Sequence, residues 1–380
     1  MREEKLQEHR LISLLLLIGL LLNVTMLCSY LDLRGTIPAA LAIIFVIVFG
    51  VRPHVFNANA LRLSVAFGLM ASYLLFSLIW FSDSKIDYFF YWLYLIGVLF
   101  LAPIMIVRGK PAVSVEIKVV LLKIVVAVNI SVGLFSIINF WYLNQNILNP
   151  NLASICLATQ FVSLYLAKHA LKGLKFLSLM VFLTLLLSFS RSAIGFCLFI
   201  LLALSVSERW LGLLRLTLFA MLATVFILFV LPSYEINLFD VIQDNQFVKN
   251  LIRFKGDISS DELRFFRNPS VLMHYLDSNF LSGLGVGARG YYALLDEGMD
   301  LESFFLVGIS DVGLIGVGIL LIAMSTVYYK QNFRIILFIL ILFNFSNFSS
   351  FIFLGAPALT LGILLIIPIY KAIDPIERQI

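Results

Sequence analysis

The chain has 380 residues, of which 61% are hydrophobic and 13% are charged, and its formal net charge is +5. Soluble globular domains contain about a quarter charged residues, so this composition excludes an ordinary soluble enzyme. Apolar runs recur from end to end, and in lipid they are stable as helices, because a helix pairs its own backbone groups. The basic residues lie between these runs, which indicates topology determinants rather than a nucleic-acid surface.

The apolar runs predict about twelve transmembrane helices. The first run follows the charged segment MREEKLQEHR without a small-residue cleavage site, so we expect an uncleaved first span. Three regions follow from the pattern: helices one to nine in residues 1–231, one large extramembrane loop in 232–300, and helices ten to twelve in 301–380. The predicted spans are 11–31, 37–51, 62–82, 88–107, 117–141, 151–167, 174–189, 192–206, 211–231, 301–328, 333–348 and 351–370.

The distribution of positive charge predicts the orientation of these spans. With the N-terminus in the cytoplasm, eighteen of the 27 Lys and Arg residues fall on the cytoplasmic side, and six of the other nine belong to the large loop. Long loops carry little weight in the positive-inside rule, so the short loops decide the orientation. Both termini are therefore predicted to be cytoplasmic, with the large loop on the opposite face.

The large loop contains a group of arginines. Ser259 and Glu262 have the spacing of a capping box, which predicts a short helix within the loop. Arg264 and Arg267 would share one face of that helix, and Arg289 follows in a glycine-rich turn. Arginine suits phosphate because its planar fork donates two parallel hydrogen bonds. A solvated loop face paired with the neighbouring acidic residues is the alternative interpretation.

Arg191 lies in the segment LLLSFSRSAIGF, at a tight turn between the seventh and eighth spans. A guanidinium near the bilayer surface needs an anionic partner or water. Ser188, Ser190 and Ser192 make this turn polar, as a site for a polar head group requires. Arg191 could complete an electropositive pocket with the loop arginines. The alternative is an interfacial arginine whose side chain reaches the lipid head groups.

Two carboxylates begin the tenth predicted span. Glu302 and Asp311 are nine residues apart, so they face opposite sides of a regular helix and are not expected to share a site. Glu302 lies near the interface beside the arginine loop, where it could act as a general base. Its alternative role is a first-turn carboxylate stabilised by the helix dipole. Asp311 lies deeper and is expected to be a structural partner for a buried polar group.

Four segments, in this order, resemble the superfamily of O-antigen polymerases and O-antigen ligases. They are NPN at 149–151, SRS at 190–192, Arg264 or Arg267 followed by LSGLGVG, and ESFFLVGISDVGLIG. In the fourth segment ligases have a His-Asn pair, whereas this chain has Glu302 and Ser303 in those places. It therefore fits the polymerase branch better. The resemblance covers residues 149–320, and the first five spans match only in kind.

The resemblance implies an all-α, polytopic membrane protein of the GT-C-like class, with short helices in its large periplasmic loop. It implies a metal-independent glycosyltransferase, without a cofactor, in the bacterial inner membrane with its active site facing the periplasm. The donor and the acceptor would be oligosaccharides linked to undecaprenyl diphosphate. Arg191, Arg264, Arg267 and Arg289 would hold the diphosphate, and Glu302 would be the catalytic base. Membrane lipid and a polysaccharide chain-length regulator are the expected partners, and no nucleic acid is expected.

Two other functions stay open at this point. An O-antigen ligase would use the same donor but transfer the glycan to lipid A core. A flippase or transporter for lipid-linked sugars also has about twelve spans, but transporters place their polar sites near the midplane in broken helices. Here the polar residues cluster at one face, and that pattern favours an enzyme.

Overall fold

α-Helices dominate the structure. The computed structural model describes residues 2–30, 51–53, 58–81, 84, 86–101, 105–107, 114–142, 150–168, 173–188, 190–230, 279–287, 303–328, 331–347 and 356–377. Within these residues, the regular structure is helical apart from one pair of three-residue strands. The helical class is therefore confirmed in outline. The count of twelve spans stays a prediction, because 37–50 and most of 232–300 lie outside the described residues.

The elements are numbered here in chain order. They are α1 (Arg2–Tyr30), β1 (Val51–Pro53), α2 (Ala58–Trp80), α3 (Ile86–Leu101), β2 (Met105–Val107), α4 (Val115–Tyr142), α5 (Pro150–Leu166), α6 (Leu174–Leu187), α7 (Arg191–Ser205), α8 (Glu208–Val230), α9 (Phe304–Tyr328), α10 (Phe333–Ser346), α11 (Pro357–Leu364) and α12 (Ile366–Glu377). The two strands pair antiparallel, with Val51 opposite Val107.

Prolines explain where two predicted spans differ from the helices. The fourth span was predicted to reach residue 107, but α3 ends at Leu101, two residues before Pro103. Proline disfavours a helical conformation at the residue before it, so the helix ends early. The last predicted span contains Pro368, which has no N–H for the carbonyl of Leu364. The chain accordingly breaks between α11 and α12 at Leu365.

Helix length and composition agree with a membrane protein. Among the described residues, three helices are long and apolar enough to cross a bilayer, within Glu8–Leu27, Val115–Phe140 and Phe304–Tyr328, and shorter apolar helices accompany them. In α4 the exposed face carries Ile117, Ile124 and Phe135. Exposed apolar surface of this extent would be unfavourable in water, so it is expected to contact lipid.

The buried face of α4 carries several polar side chains, and they join three helices. The amide of Asn129 donates to the carbonyl of Gly19 in α1 and to Oε1 of Gln160 in α5, each at 3.0 Å. Nearer the start of α4, the ammonium of Lys118 donates to the hydroxyl of Ser13 at 2.7 Å. The later residue of α4, Asn129, contacts the later residue of α1, Gly19, so α1 and α4 run parallel. Hydrogen bonds of this kind hold helices together in lipid, where apolar contact alone gives little preference.

Contacts between α7 and α10 define the two ends of the bundle. Arg334, early in α10, donates to the carbonyl of Leu204 near the end of α7. Phe345, late in α10, packs on Phe196 near the start of α7, with ring centroids 5.8 Å apart. The two helices are therefore antiparallel. We call the end where α7 begins and α10 ends the Ser303 end, because Ser303 contacts Asn347 there.

Other helices take their direction from the same reasoning. Few residues separate α5, α6 and α7 in the chain, so neighbours in this series are expected to be antiparallel, and α5 then also begins at the Ser303 end. The hydroxyl of Tyr328 donates to the carbonyl of Leu99 at 3.0 Å, which places the ends of α9 and α3 together at the opposite end. Which end faces the cytoplasm stays a prediction.

The helix α9 is broken at Gly313. This residue has φ 65° and ψ −178°, which is outside the helical region. A Cβ added at Gly308 would come within 3.0 Å of Cγ2 of Val317. Residues nine apart in a continuous helix are separated by about 13.5 Å along the axis. The two halves of α9 therefore turn sharply towards each other, and the tenth predicted span is not one straight helix.

The backbone groups released by this break are paired with other parts of the protein. The N–H groups of Leu314 and Ile315 donate to the carbonyls of Phe280 and Leu281, each at 3.1 Å. In return, the carbonyl of Ser310 accepts from Leu284 N at 2.7 Å. The hydroxyl of Tyr73 donates to the carbonyl of Val312 at 2.8 Å. An unpaired backbone group costs several kcal/mol in hydrocarbon, so the segment 279–284 is what makes the break tolerable.

Gly313→Ala tests the break. The φ and ψ of Gly313 belong to a region that only glycine adopts readily, which costs other residues about 1–3 kcal/mol. The new Cβ would also overlap the carbonyl oxygen of Leu281. We expect a lower unfolding temperature in detergent. Gly318→Ala is the matched control, because it lies in the same helix with no atom within 4 Å of the added Cβ. Equal unfolding temperatures for the two variants would contradict the described break.

Candidate functional site

A serine-rich turn starts α7 at the Ser303 end. The hydroxyl of Ser188 donates to the carbonyl of Leu185 at 2.7 Å and accepts from Ser190 N at 3.3 Å. Ser190 is the N-cap residue of α7, and its Oγ accepts from Ala193 N at 3.5 Å. Its Oγ also lies 3.4 Å from Oγ of Ser192. Serine is favoured at this position because its oxygen satisfies an amide that the helix leaves unpaired.

This geometry changes the interpretation of the three serines. Their hydroxyls are used within the turn, so the turn itself explains why the segment is polar. Arg191 is the first residue of α7. The turn fixes its backbone at the very start of that helix, and the positive end of the helix dipole lies beside it. The site hypothesis therefore depends on Arg191 and not on the serines around it.

A single asparagine joins the start of α9 to the end of α10. Oδ1 of Asn347 accepts from the hydroxyl of Ser303 at 3.1 Å and from Phe305 N at 3.0 Å. Its amide group donates to the carbonyl of Phe343 at 3.0 Å, within its own helix. Ser303 in turn accepts from Leu306 N at 3.4 Å. Asn347 therefore caps two helix ends of opposite polarity with one side chain.

Aromatic packing brings the starts of α7 and α9 to the same place. Phe345 contacts Phe196 and Phe199 of α7, with ring centroids 5.8 and 5.9 Å away. Two residues earlier, Phe343 contacts Phe304 at 6.0 Å between centroids. The last turn of α10 thus lies between the first half of α7 and the first turn of α9. Arg191 begins the first of these helices, and Glu302 directly precedes Ser303 in the chain.

The start of α5 lies on the same side. Sγ of Cys197 in α7 donates to the carbonyl of Ala158 in α5 at 3.4 Å. Ala158 is eight residues into α5, and Cys197 is six residues into α7. Because the two helices are parallel, their first residues lie at similar heights. Pro150 and Asn151 of the NPN segment therefore lie at the same end of the bundle as the SRS segment, and Asn149 lies outside the described residues.

The glycine-rich segment packs against the turn between α2 and α3. A Cβ on Gly285 would lie 2.7 Å from Cβ of Phe81, and one on Gly287 would lie 2.6 Å from Cδ2 of Tyr88. Both glycines have positive φ. These contacts account for the glycines without a ligand, because only a residue lacking a side chain fits so close to its neighbours.

Asp311 is a structural residue, as the sequence predicted. It is completely buried, and its Oδ2 accepts from the indole N–H of Trp92 at 2.8 Å. The ring of Trp92 also lies 6.2 Å from the ring of Phe304. Phe304, Gly308 and Asp311 share one helical face, and Trp92 lies along it. The contact fixes the first half of α9 against α3.

The remaining predicted site residues are not tested. Glu302, Arg264, Arg267 and Arg289 lie outside the described residues, and Arg191 is described only in its backbone. The capping box of Ser259 and Glu262 lies outside them as well. Their predicted roles in diphosphate binding and catalysis stay predictions. Among the residues that are described, no three His, Cys, Asp or Glu side chains come together.

Sequence reasoning missed Asn347 and Trp92. Asn347 stands in NFSNFSS at the end of the eleventh predicted span, where a polar residue in an apolar run was a signal for a capped helix end. Trp92 is buried, and a buried indole N–H nearly always has an acceptor. In each case the residue was visible, but its partner is more than forty positions away. Comparison of the chain with protein-family models, curated proteins and solved structures gave no match.

Proposed function

We propose that this protein polymerises oligosaccharide repeat units linked to undecaprenyl diphosphate, forming O-antigen or a similar surface polysaccharide. The observation that carries the proposal is the meeting of distant segments at the Ser303 end. The helices α5, α7 and α9 all begin there, and they follow or contain the segments NPN, SRS and ESFFLVG. We further propose that this end faces the periplasm from the bacterial inner membrane, with both termini in the cytoplasm.

Electrostatics at this end suit a diphosphate. Three helix N-termini point towards it, and the positive ends of their dipoles favour an anion. The amides of Ala193, Phe305 and Leu306 are already hydrogen-bonded to protein oxygens. Holding the phosphates therefore falls to side chains. Arg191 has the most suitable position, and we propose that Arg264, Arg267 and Arg289 of the large loop assist it.

The reaction transfers the growing glycan from its carrier to the next repeat unit. An acceptor hydroxyl oxygen bonds to the anomeric carbon of the donor glycan, and the bond from that carbon to the diphosphate oxygen breaks. Undecaprenyl diphosphate leaves with the electron pair, and its negative charge is stabilised by the arginines. The proton of the acceptor hydroxyl passes to the carboxylate of Glu302. No metal or cofactor is needed for this proposed step.

The hydrogen-bonded backbone at the break in α9 argues against the transporter alternative. Transporters use the free backbone groups of broken helices to bind substrates or ions. Here the N–H groups of Leu314 and Ile315 and the carbonyls of Ser310 and Val312 are occupied by protein partners. The ligase alternative differs only in its acceptor. Glu302 and Ser303, in place of the His-Asn pair, favour the polymerase.

Reconstitution with defined substrates tests the proposal. Purified protein in vesicles receives one undecaprenyl-diphosphate-linked repeat unit and no other acceptor, and the products are separated by length. We expect a ladder of polymers without a chain-length regulator, whose addition would narrow the length distribution. Product that forms only after lipid A core is added would identify a ligase. Movement of the lipid-linked sugar across the membrane without any product would identify a transporter.

Arg191→Ala tests the diphosphate role. Removing one donor that stabilises developing charge lowers turnover by about a hundredfold or more in other enzymes. We expect a loss of that order in the ladder assay, with unchanged insertion into the membrane. Arg191→Lys keeps the charge but loses the planar fork, so it should restore only part of the rate. Arg215→Ala is the control. Arg215 lies 5.5 and 5.4 Å from the ring centroids of Phe219 and Phe333 at the opposite end.

Glu302→Gln tests the base. Glutamine keeps the shape of the side chain but cannot accept a proton at neutral pH. General base catalysis contributes about a hundredfold to ten-thousandfold, so we expect turnover to fall within that range while donor binding persists. Glu302→Asp should retain part of the rate. Normal polymer from Glu302→Gln would show that this residue is not the catalytic base. The polymerase proposal itself would still be tested by the reconstitution assay.

A further inference from the structure

The last turn of α10 touches α7 and α9, two of the three helices that begin at the Ser303 end. On its α7 side, Phe345 packs against Phe196 and lies 3.3 Å from a Cβ placed on Gly195. On its α9 side, Asn347 accepts hydrogen bonds from Ser303 and Phe305. The same turn therefore links the first half of α7 to the start of α9. Among the described residues, no backbone hydrogen bond joins α7 directly to α9.

We propose that Asn347 is a positioning residue for the transfer reaction, which aligns Glu302 with the arginine at the start of α7. The inference rests on the proposed function. Glu302 is joined to Ser303 by one peptide bond, and Ser303 and Phe305 are both held by Oδ1 of Asn347. Asn347 does not touch the substrate in this proposal, and it acts only through the start of α9.

The chemistry of the amide explains why asparagine stands there. Oδ1 accepts from the start of α9, where N–H groups are left unpaired, and Nδ2 donates to Phe343 O at the end of α10, where carbonyls are left unpaired. A carboxylate could supply the acceptor but not the donor. A leucine of similar size supplies neither. The two substitutions therefore lose the same bond within α10 and differ only in the bonds to α9.

The test compares Asn347→Leu with Asn347→Asp in the ladder assay. A misplacement of about 1 Å at a catalytic group can cost up to a hundredfold in rate. We expect Asn347→Leu to lower kcat by about tenfold to a hundredfold with little change in KM, and Asn347→Asp to keep most of the wild-type kcat. Ser303→Ala should show a smaller loss of kcat, because Phe305 N keeps its acceptor. Ser303→Ala also tests the inference if Asn347→Leu fails to fold.

A matched control separates positioning from general stability. Asn344 is a buried asparagine of the same helix, and its amide donates to Leu218 O in α8 at 3.3 Å and to Leu340 O at 3.0 Å. Asn344→Leu should lower the unfolding temperature about as much as Asn347→Leu does, but leave kcat per folded molecule near the wild-type value. Equal kcat values for Asn347→Leu and Asn347→Asp would overturn the inference.

A double variant shows whether Asn347 acts through Glu302. Residues that act as a unit give non-additive losses. Asn347→Leu should therefore cause no further loss of kcat in a Glu302→Gln protein, and an additive loss would overturn the proposed route. If wild-type protein transfers glycan to neither acceptor, the proposed function has failed, and this inference fails with it. If wild-type protein is active but Asn347→Leu and Asn347→Asp have the same kcat, the inference fails while the proposed function stands.

Discussion

In hydrocarbon no water is available to a backbone N–H or C=O, so a chain that leaves its helix there must find partners in the protein. The break at Gly313 meets this constraint through the segment 279–284 and the hydroxyl of Tyr73. Once that segment is fixed, its glycines lie against Phe81 and Tyr88, which ties the turn between α2 and α3 to α9. The packing of α9 against α2 and α3 thus depends on pairing a few released backbone groups.

The same constraint explains why polar side chains buried between the helices are paired. Side chains that would be solvated in a soluble bundle point inward here, as Asn129 does towards Gly19 and Gln160. The apolar side chains of α4 form its exposed face instead. Hydrogen bonds between α1 and α4 fix their relative direction and height, because the bonded atoms must lie at the same level. Apolar side chains cannot do this, since their contact with lipid and their contact with another helix have nearly the same free energy.

At the Ser303 end, polar caps serve two purposes at once. Ser190 and Asn347 satisfy amides that the helices leave unpaired, and in doing so they hold the starts of α7 and α9. The dipoles of these helices favour an anion, while their capped amides are not available to bind one. An anion at this end would therefore be held by side chains, which is compatible with the proposed diphosphate role of the arginines.

Sequence alone predicted an apolar helical protein of membrane type, most helix positions and a buried polar partner for Asp311, because apolar runs and charge placement are local properties. It also placed Arg191 at a tight turn. It did not reveal the break at Gly313 or the pairing of Asn347 with Ser303, since each joins residues far apart in the chain. The tertiary structure also reassigned the three serines near Arg191 to the turn. The alternation of the predicted spans already put the starts of α5, α7 and α9 on one face. Only the tertiary structure brought the end of α10 against α7 and α9, because that packing joins residues far apart in the chain.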